Sequence, residues 1–199
     1  AQAINQADVV ILGVKPQMML SLLTDLVASG VDFSQKLVIS VAAGLLSQQY
    51  FDLLGQVRFI RCMPNTPSLV GLGMAGLYNA TTTDNYSQAQ IEQDNKICEQ
   101  IFSAVGDFIW LDNEVQIDQI TALSGSGPAY FFLFMQGMME KAQKMGFSPE
   151  QSRDIVLQTA MGAASMAQQS EQDVVQLRKN VTSPGGTTAA AIAVFEQEQ

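Results

Sequence analysis

Asp8-Val-Val-Ile-Leu-Gly-Val-Lys-Pro16 opens the reading of the fold. Its apolar run is short, unbroken and stopped by Lys15-Pro16, which suits a strand buried on both faces of a parallel sheet. Pro16 can open a helix, since the first helical position needs no N–H donor. Met18, Met19, Leu22, Leu23, Leu26 and Val27 then recur at helical spacing, and Gly30 is placed to stop the helix. Leu37-Val-Ile-Ser-Val41 repeats the buried-strand pattern, a helical pattern covers residues 45–54, and Val57-Arg-Phe-Ile-Arg-Cys62 gives a third strand. Strand alternating with helix predicts a parallel α/β sheet.

Met63-Pro-Asn-Thr-Pro67 reads as a rigid loop, because each proline fixes its own φ and pushes its predecessor towards extended geometry. A strand over 72–79, a long helix over 84–105 with Ile91, Ile97, Ile101 and Phe102 inward, and a closing strand over 107–111 complete the α/β part. After Asp112 the pattern changes to helix upon helix, so residues 1–112 are read as an α/β domain and 113–199 as an all-α domain. The helix predicted over 129–145 carries Phe131, Phe132, Leu133, Phe134, Met135, Met138 and Met139, too apolar to leave any face bare. A second helix over 149–169 is rich in Ala and Gly. So small a bundle cannot easily cover such a helix alone, which points to a homo-oligomer.

Composition removes several function classes. The net charge is −9, with five Lys/Arg against ten Asp/Glu in residues 1–112 and five against nine in 113–199. There is no basic footprint for nucleic acid. The chain has no histidine, which removes the usual general base and the commonest metal ligand, so no metal site is expected. Cys62 and Cys98 lack any CxxC spacing, and a reducing, cytoplasmic setting is expected. No apolar run approaches the roughly 20 residues of a membrane helix. Ala1 stands where an initiator Met would, and reads as the start of a fragment.

Open α/β sheets take ligands at the carboxyl ends of their strands. Three loops lie there: Val14-Lys-Pro-Gln17, Val41-Ala-Ala-Gly44 and Met63-Pro-Asn-Thr-Pro67. Each alone is compatible with an ordinary tight turn, and their succession suggests room for a flat ring against bare backbone. In the helical part, Leu123-Ser-Gly-Ser-Gly-Pro-Ala-Tyr130 runs into a helix, and Val181-Thr-Ser-Pro-Gly-Gly-Thr-Thr188 precedes the last one, predicted over 189–195. The second loop suits either helix capping or the binding of a carboxylate or phosphate at a helix N-terminus.

The segments VKPQ, RCMPNTPSLVGLGMAGLY, ALSGSGPAYFF and NVTSPGGTTAAAI, in this order over essentially the whole chain, closely resemble pyrroline-5-carboxylate reductases. The resemblance implies a Rossmann-like domain followed by a helical dimerisation domain. It also implies reduction of 1-pyrroline-5-carboxylate to L-proline by NADPH, with NADH as the alternative donor, and homodimers that can build decamers. Carried over onto this sequence, Val14, Lys15, Pro16, Ala42, Ala43 and Gly44 would line the cofactor, and Met63, Pro64 and Asn65 would lie near the nicotinamide. Ser183, Gly185, Gly186 and Thr187 would hold the substrate carboxylate, and Thr188 would hydrogen-bond the ring nitrogen. Glu171 and Asn180 match further positions near the substrate.

One feature of the family is missing. Its GxGxxA/G dinucleotide fingerprint does not occur on the first strand and helix, so the first βαβ segment of the Rossmann domain is expected to be absent. Gly71-Leu-Gly73-Met-Ala-Gly76 fits the pattern as text, but it enters a predicted strand instead of leaving one for a helix. Two other readings therefore stand beside the reductase. One is a non-catalytic oligomerising remnant. The other is a Rossmann reductase of the β-hydroxyacid dehydrogenase type, which would place a catalytic lysine in its helical domain; Lys141 and Lys144 stand beside no such motif.

Overall fold

A computed structural model describes residues 2–197; Ala1, Glu198 and Gln199, the outer ends of the two predicted domains, lie outside them. After a single turn, α1 (Gln2–Asn5), the chain builds β1 (Val9–Leu12), α2 (Pro16–Ala28), β2 (Leu37–Ser40), α3 (Ser47–Leu54) and β3 (Arg58–Met63). A 3-10 turn (Thr66–Val70) leads to β4 (Gly73–Asn79), then α4 (Gln88–Ser103), β5 (Gly106–Trp110) and α5 (Val115–Ile120). Pro16 is in the first turn of α2, and Gly30, at φ 85°, follows its end.

The sheet order is β1-β2-β3-β4-β5. Pairing is parallel except between β3 and β4, which run antiparallel with Met63 opposite Gly76. The parallel sheet read from the strand-helix alternation holds for β1, β2 and β3, and β4 and β5 run the other way. Only a loop and one 3-10 turn join β3 to β4, too little chain for the crossover that a parallel pair requires. Burial on both faces also holds only inside the sheet. β2 is buried throughout, whereas Ile11 on the edge strand β1 is 51% exposed.

Two apolar layers flank the strands. On one face Val10, Leu12, Val38 and Phe59 pack with Met19, Leu23 and Tyr50 from α2 and α3. On the other, Leu37, Ile39, Ile60, Cys62 and Leu77 pack with Cys98 and Phe102 of α4. Arg58 ties β3 to that helix, donating from Nη1 to Asp94 Oδ1 at 2.7 Å. Cys62 and Cys98, remote in sequence, bring their sulfurs to 3.5 Å as free thiols. Burial and the neighbouring thiol push Cys62 well above the ordinary range, so Cys62 offers no ready thiolate.

By compactness the chain falls into units of residues 1–131 and 132–199. Residues 113–131, which the sequence pattern groups with the helices, go with the sheet. Ile117 and Ile120 of α5 are buried there, and a Cβ added to Gly76 would stand 2.7 Å from Ile120 Cγ2. A wide turn over Thr121–Gly125, closed by Ser126 N–H donating to Thr121 O at 2.8 Å, leads into α6 (Gly127–Lys144).

The second unit holds most of α6, then α7 (Pro149–Gln169), α8 (Val174–Asn180) and α9 (Thr187–Gln197). Ser148 caps α7 by accepting from Gln151 N–H, and the Gln151 side chain accepts in return from Ser148 N–H. Within a single chain α6 is not buried on all sides. Tyr130, Phe131, Phe132, Leu133 and Phe134 are each 54–70% exposed. No helix among the described residues is long and apolar enough to cross a membrane.

Candidate active site

Three of the sequence-nominated loops stand side by side, because β1, β2 and β3 are adjacent parallel strands and end on the same edge. Val14, Lys15 and Pro16 follow β1. Ala42, Ala43 and Gly44 follow β2, where Val41 N–H donates to Leu12 O at 3.2 Å and so ties the start of the second loop to the end of β1. Met63, Pro64 and Asn65 follow β3. Gly44 has φ 72°, and a Cβ added to it would meet nothing within 4 Å, so the β2–α3 loop presents open backbone. With two alanines before it, this edge fits a dinucleotide lying against main chain.

Asn65 is less free than its nomination implies. Its Nδ2 donates to Ser124 O at 3.0 Å and its Oδ1 accepts from Met74 N–H at 2.9 Å. Both ends of the amide are spent joining the MPN loop to β4 and to the SGSGP loop. Gly125 of that loop lies close to Met63, whose Cε would be 3.2 Å from an added Cβ.

Beneath the same edge lies a polar cluster that sequence reasoning did not single out. Glu114, immediately before α5, accepts three hydrogen bonds on Oε1: from Ser47 N–H at 2.6 Å, Ser47 Oγ at 2.7 Å and Arg61 Nη1 at 2.9 Å. Burial alone would push its carboxyl up, but the bonds from Ser47 and Arg61 outweigh it and hold the group below its ordinary value. Beside it the hydroxyls of Ser40 and Tyr50 are 2.7 Å apart. The sequence signal was an arginine inside an apolar strand, VRFIRC, which demands a buried partner. The partner lies 53 residues further on, beyond the reach of local pattern.

In the second unit, Ser183-Pro-Gly-Gly186 forms a tight turn, with Gly186 N–H donating to Ser183 O at 3.0 Å. Pro184 supplies the fixed φ at the second position and Gly185 the positive φ, 71°, at the third. The turn feeds directly into α9, whose first residues are Thr187 and Thr188. Their N–H groups, with that of Ala189, occupy the helical positions that have no intrahelical acceptor. The Gly186 amide, nominated for the carboxylate, is instead engaged inside the turn, while Thr187, Thr188 and Ser183 are exposed. Asn180 is also engaged at both ends of its amide, donating to Gln172 Oε1 and accepting from Gln176 Nε2, each at 2.8 Å. Glu171 is exposed in the turn before α8.

An α/β sheet with bare strand-end loops, joined to a helical module, is the build of a two-part nicotinamide oxidoreductase. Residues 1–44 match the family model "NADP oxidoreductase coenzyme F420-dependent", and residues 114–199 match "Pyrroline-5-carboxylate reductase dimerisation". Among relatives, the pyrroline-5-carboxylate reductase of Pseudomonas aeruginosa is 48% identical over 98% of this chain and 69% of its own length. That of Vibrio alginolyticus is 44% identical over 100% and 70%. A pyrroline-5-carboxylate reductase structure from Coxiella burnetii, 42% identical, superposes with a TM-score of 0.82 over 99% of this chain and 70% of that one. The Plasmodium falciparum enzyme with NADP bound, 33% identical, gives 0.85 over 99% and 71%. The chain belongs to the pyrroline-5-carboxylate reductase family.

Proposed function

We propose that this chain reduces 1-pyrroline-5-carboxylate to L-proline, using NADPH with NADH as the alternative donor, as a cytoplasmic enzyme of proline biosynthesis. When bound, the reduced nicotinamide supplies a hydride. The chain's own residues have the remaining work of holding and orienting. Val14, Lys15, Pro16, Ala42, Ala43 and Gly44 would hold the dinucleotide along the carboxyl edge of β1 and β2. Met63 and Pro64 would bound the nicotinamide, and Asn65 would keep their loop in place.

The geometric observation that carries this reading is the Pro184–Gly185 turn, which delivers the N-terminus of α9 with its unsatisfied N–H groups. Those donors and the positive end of the helix dipole suit the substrate carboxylate. Thr188 would accept or donate one hydrogen bond at the ring nitrogen and so fix which face of the ring is presented. A hydroxyl is a poor acid, so the proton that accompanies reduction comes from substrate or solvent. A protonated cyclic imine is already electrophilic, which is why a chain without histidine suffices for orientation-driven chemistry.

The family model over residues 114–199 and the exposed apolar face of α6 support a homodimer, with assembly to a decamer as the further expectation. Comparison of 1-pyrroline-5-carboxylate with 1-pyrroline, which lacks the carboxylate, tests the anchor. Oxidation of NADPH should proceed with kcat/KM lower by at least about 100-fold for 1-pyrroline, as expected when charge-assisted hydrogen bonds are lost. Equal values would remove the carboxylate site from the account.

A further inference from the structure

The β2–α3 loop has almost no side chains with which to hold its own shape. Ala42, Ala43 and Gly44 offer only methyl groups and a hydrogen, and Leu46, the residue at the N-cap of α3, has no oxygen to cap the helix, although its own N–H donates to Gln49 Oε1 at 2.9 Å. The loop is instead fixed at its two ends. At the start, the Ser40 hydroxyl accepts from Ala42 N–H at 3.3 Å and is itself paired with Tyr50. At the end, the first N–H of α3, that of Ser47, and the Ser47 hydroxyl both donate to Glu114, brought 67 residues along the chain by α5.

Arg61 holds that carboxylate from beneath and is 1% exposed, with Nη2 buried and without a hydrogen-bond partner among the described residues. An arrangement of this kind is a poor source of stability. Taking the guanidinium out of water is costly, and well-packed apolar residues often do as well or better. What the pair supplies is a fixed place for one oxygen atom at the N-terminus of α3.

We propose that Glu114, held by Arg61, is a positioning residue: it fixes the start of α3 and thereby the conformation of the Ala42–Gly44 loop that receives the nicotinamide dinucleotide. The inference rests on the reading of that loop as part of the cofactor site. Because the acid comes from the segment leading to the helical part, cofactor affinity depends on residues outside the α/β pattern that the loop belongs to.

Four properties of the purified protein and its variants test this: the NADPH dissociation constant by fluorescence titration, hydrogen exchange of residues 42–47 in the cofactor-free protein, thermal midpoint, and steady-state kinetics. Glu114→Gln should weaken NADPH about tenfold and speed exchange in residues 42–47. With NADPH saturating, its kcat should stay within about twofold and its KM for the imine should not change, since only the loop is loosened. Ser47→Ala, which removes one of the three bonds and leaves the ion pair, should weaken NADPH about threefold and keeps the test open if Glu114→Gln folds poorly. A lowered thermal midpoint and smaller active fraction with an unchanged NADPH dissociation constant would overturn the proposal. Ala43→Val, which crowds the loop itself, separates the two levels. If it weakens NADPH while Glu114→Gln and Ser47→Ala do not, positioning alone fails. If it leaves NADPH binding untouched, the cofactor-loop reading fails and the proposal with it.

Discussion

Thr188→Val is expected to lower kcat/KM for 1-pyrroline-5-carboxylate by about 100-fold, with the thermal midpoint changed little, because the substitution keeps the shape of the side chain and deletes only the hydroxyl. Thr188 is exposed at the second position of α9. Its backbone N–H survives the exchange, so carboxylate binding should be largely retained and most of the loss should fall on kcat. Gly185→Val should be as damaging by a different route. At φ 71° a β-branched residue is strained, so the turn would reopen and the start of α9 would move away from the position in which its N–H groups converge. That variant should lose affinity for the imine while its NADPH binding stays normal. A Thr188→Val enzyme within threefold of the parent would end the assignment of that residue to the ring nitrogen.

Gly106→Ala should destabilise the protein by at least about 3 kcal/mol, among the largest single effects that a methyl group can have here. A Cβ at Gly106 would fall inside van der Waals contact of the Gly73 main chain, with the carbonyl carbon only 2.6 Å away. Gly73 pairs with Gly106 at the start of β4 and β5, and neither backbone can move without opening the ladder. No rotamer relieves a clash with main chain, unlike one with a flexible side chain. The expected reading is a lower urea midpoint at unchanged slope, or loss of soluble protein. A midpoint within the error of the parent would show that β5 is not held against β4 in this register.

The sequence made the elements legible wherever one period ran uninterrupted. The strand pattern at Val9–Leu12, the proline start of α2 and the span of α7 all depend on residues adjacent along the chain. The antiparallel β4 was not legible, because its apolar residues look the same in either direction and only the short connection from Met63 to Gly73 decides. The edge exposure of Ile11 was hidden for a related reason, since hydropathy records what a strand can bury and not which neighbours it has.

The site divides along similar lines. Small residues and prolines at strand ends pointed to the three loops, and SPGGTT pointed to a loop before the last helix, whose tight turn over Ser183–Gly186 came from the structure. What those residues do with their polar atoms was not legible. Asn65, Asn180 and the Gly186 amide all have internal partners, and each of those partners is set by tertiary packing or by the turn itself. The acid at 114 escaped notice because nothing around it marks a function. Its meaning comes from Ser47 and Arg61, which reach it through the fold.

Mass measurement of the proline formed from NADPH deuterated at both C4 positions tests the central claim most directly. Incubated with unlabelled 1-pyrroline-5-carboxylate, the protein should yield proline heavier by one mass unit, with the deuterium on the ring carbon that was the imine carbon. Proline without the label, or oxidation of NADPH with no proline formed, would contradict hydride transfer to the imine carbon, and neither NADPH oxidation nor proline would leave the chain as an assembly module whose loops carry the pattern of a reductase without its chemistry.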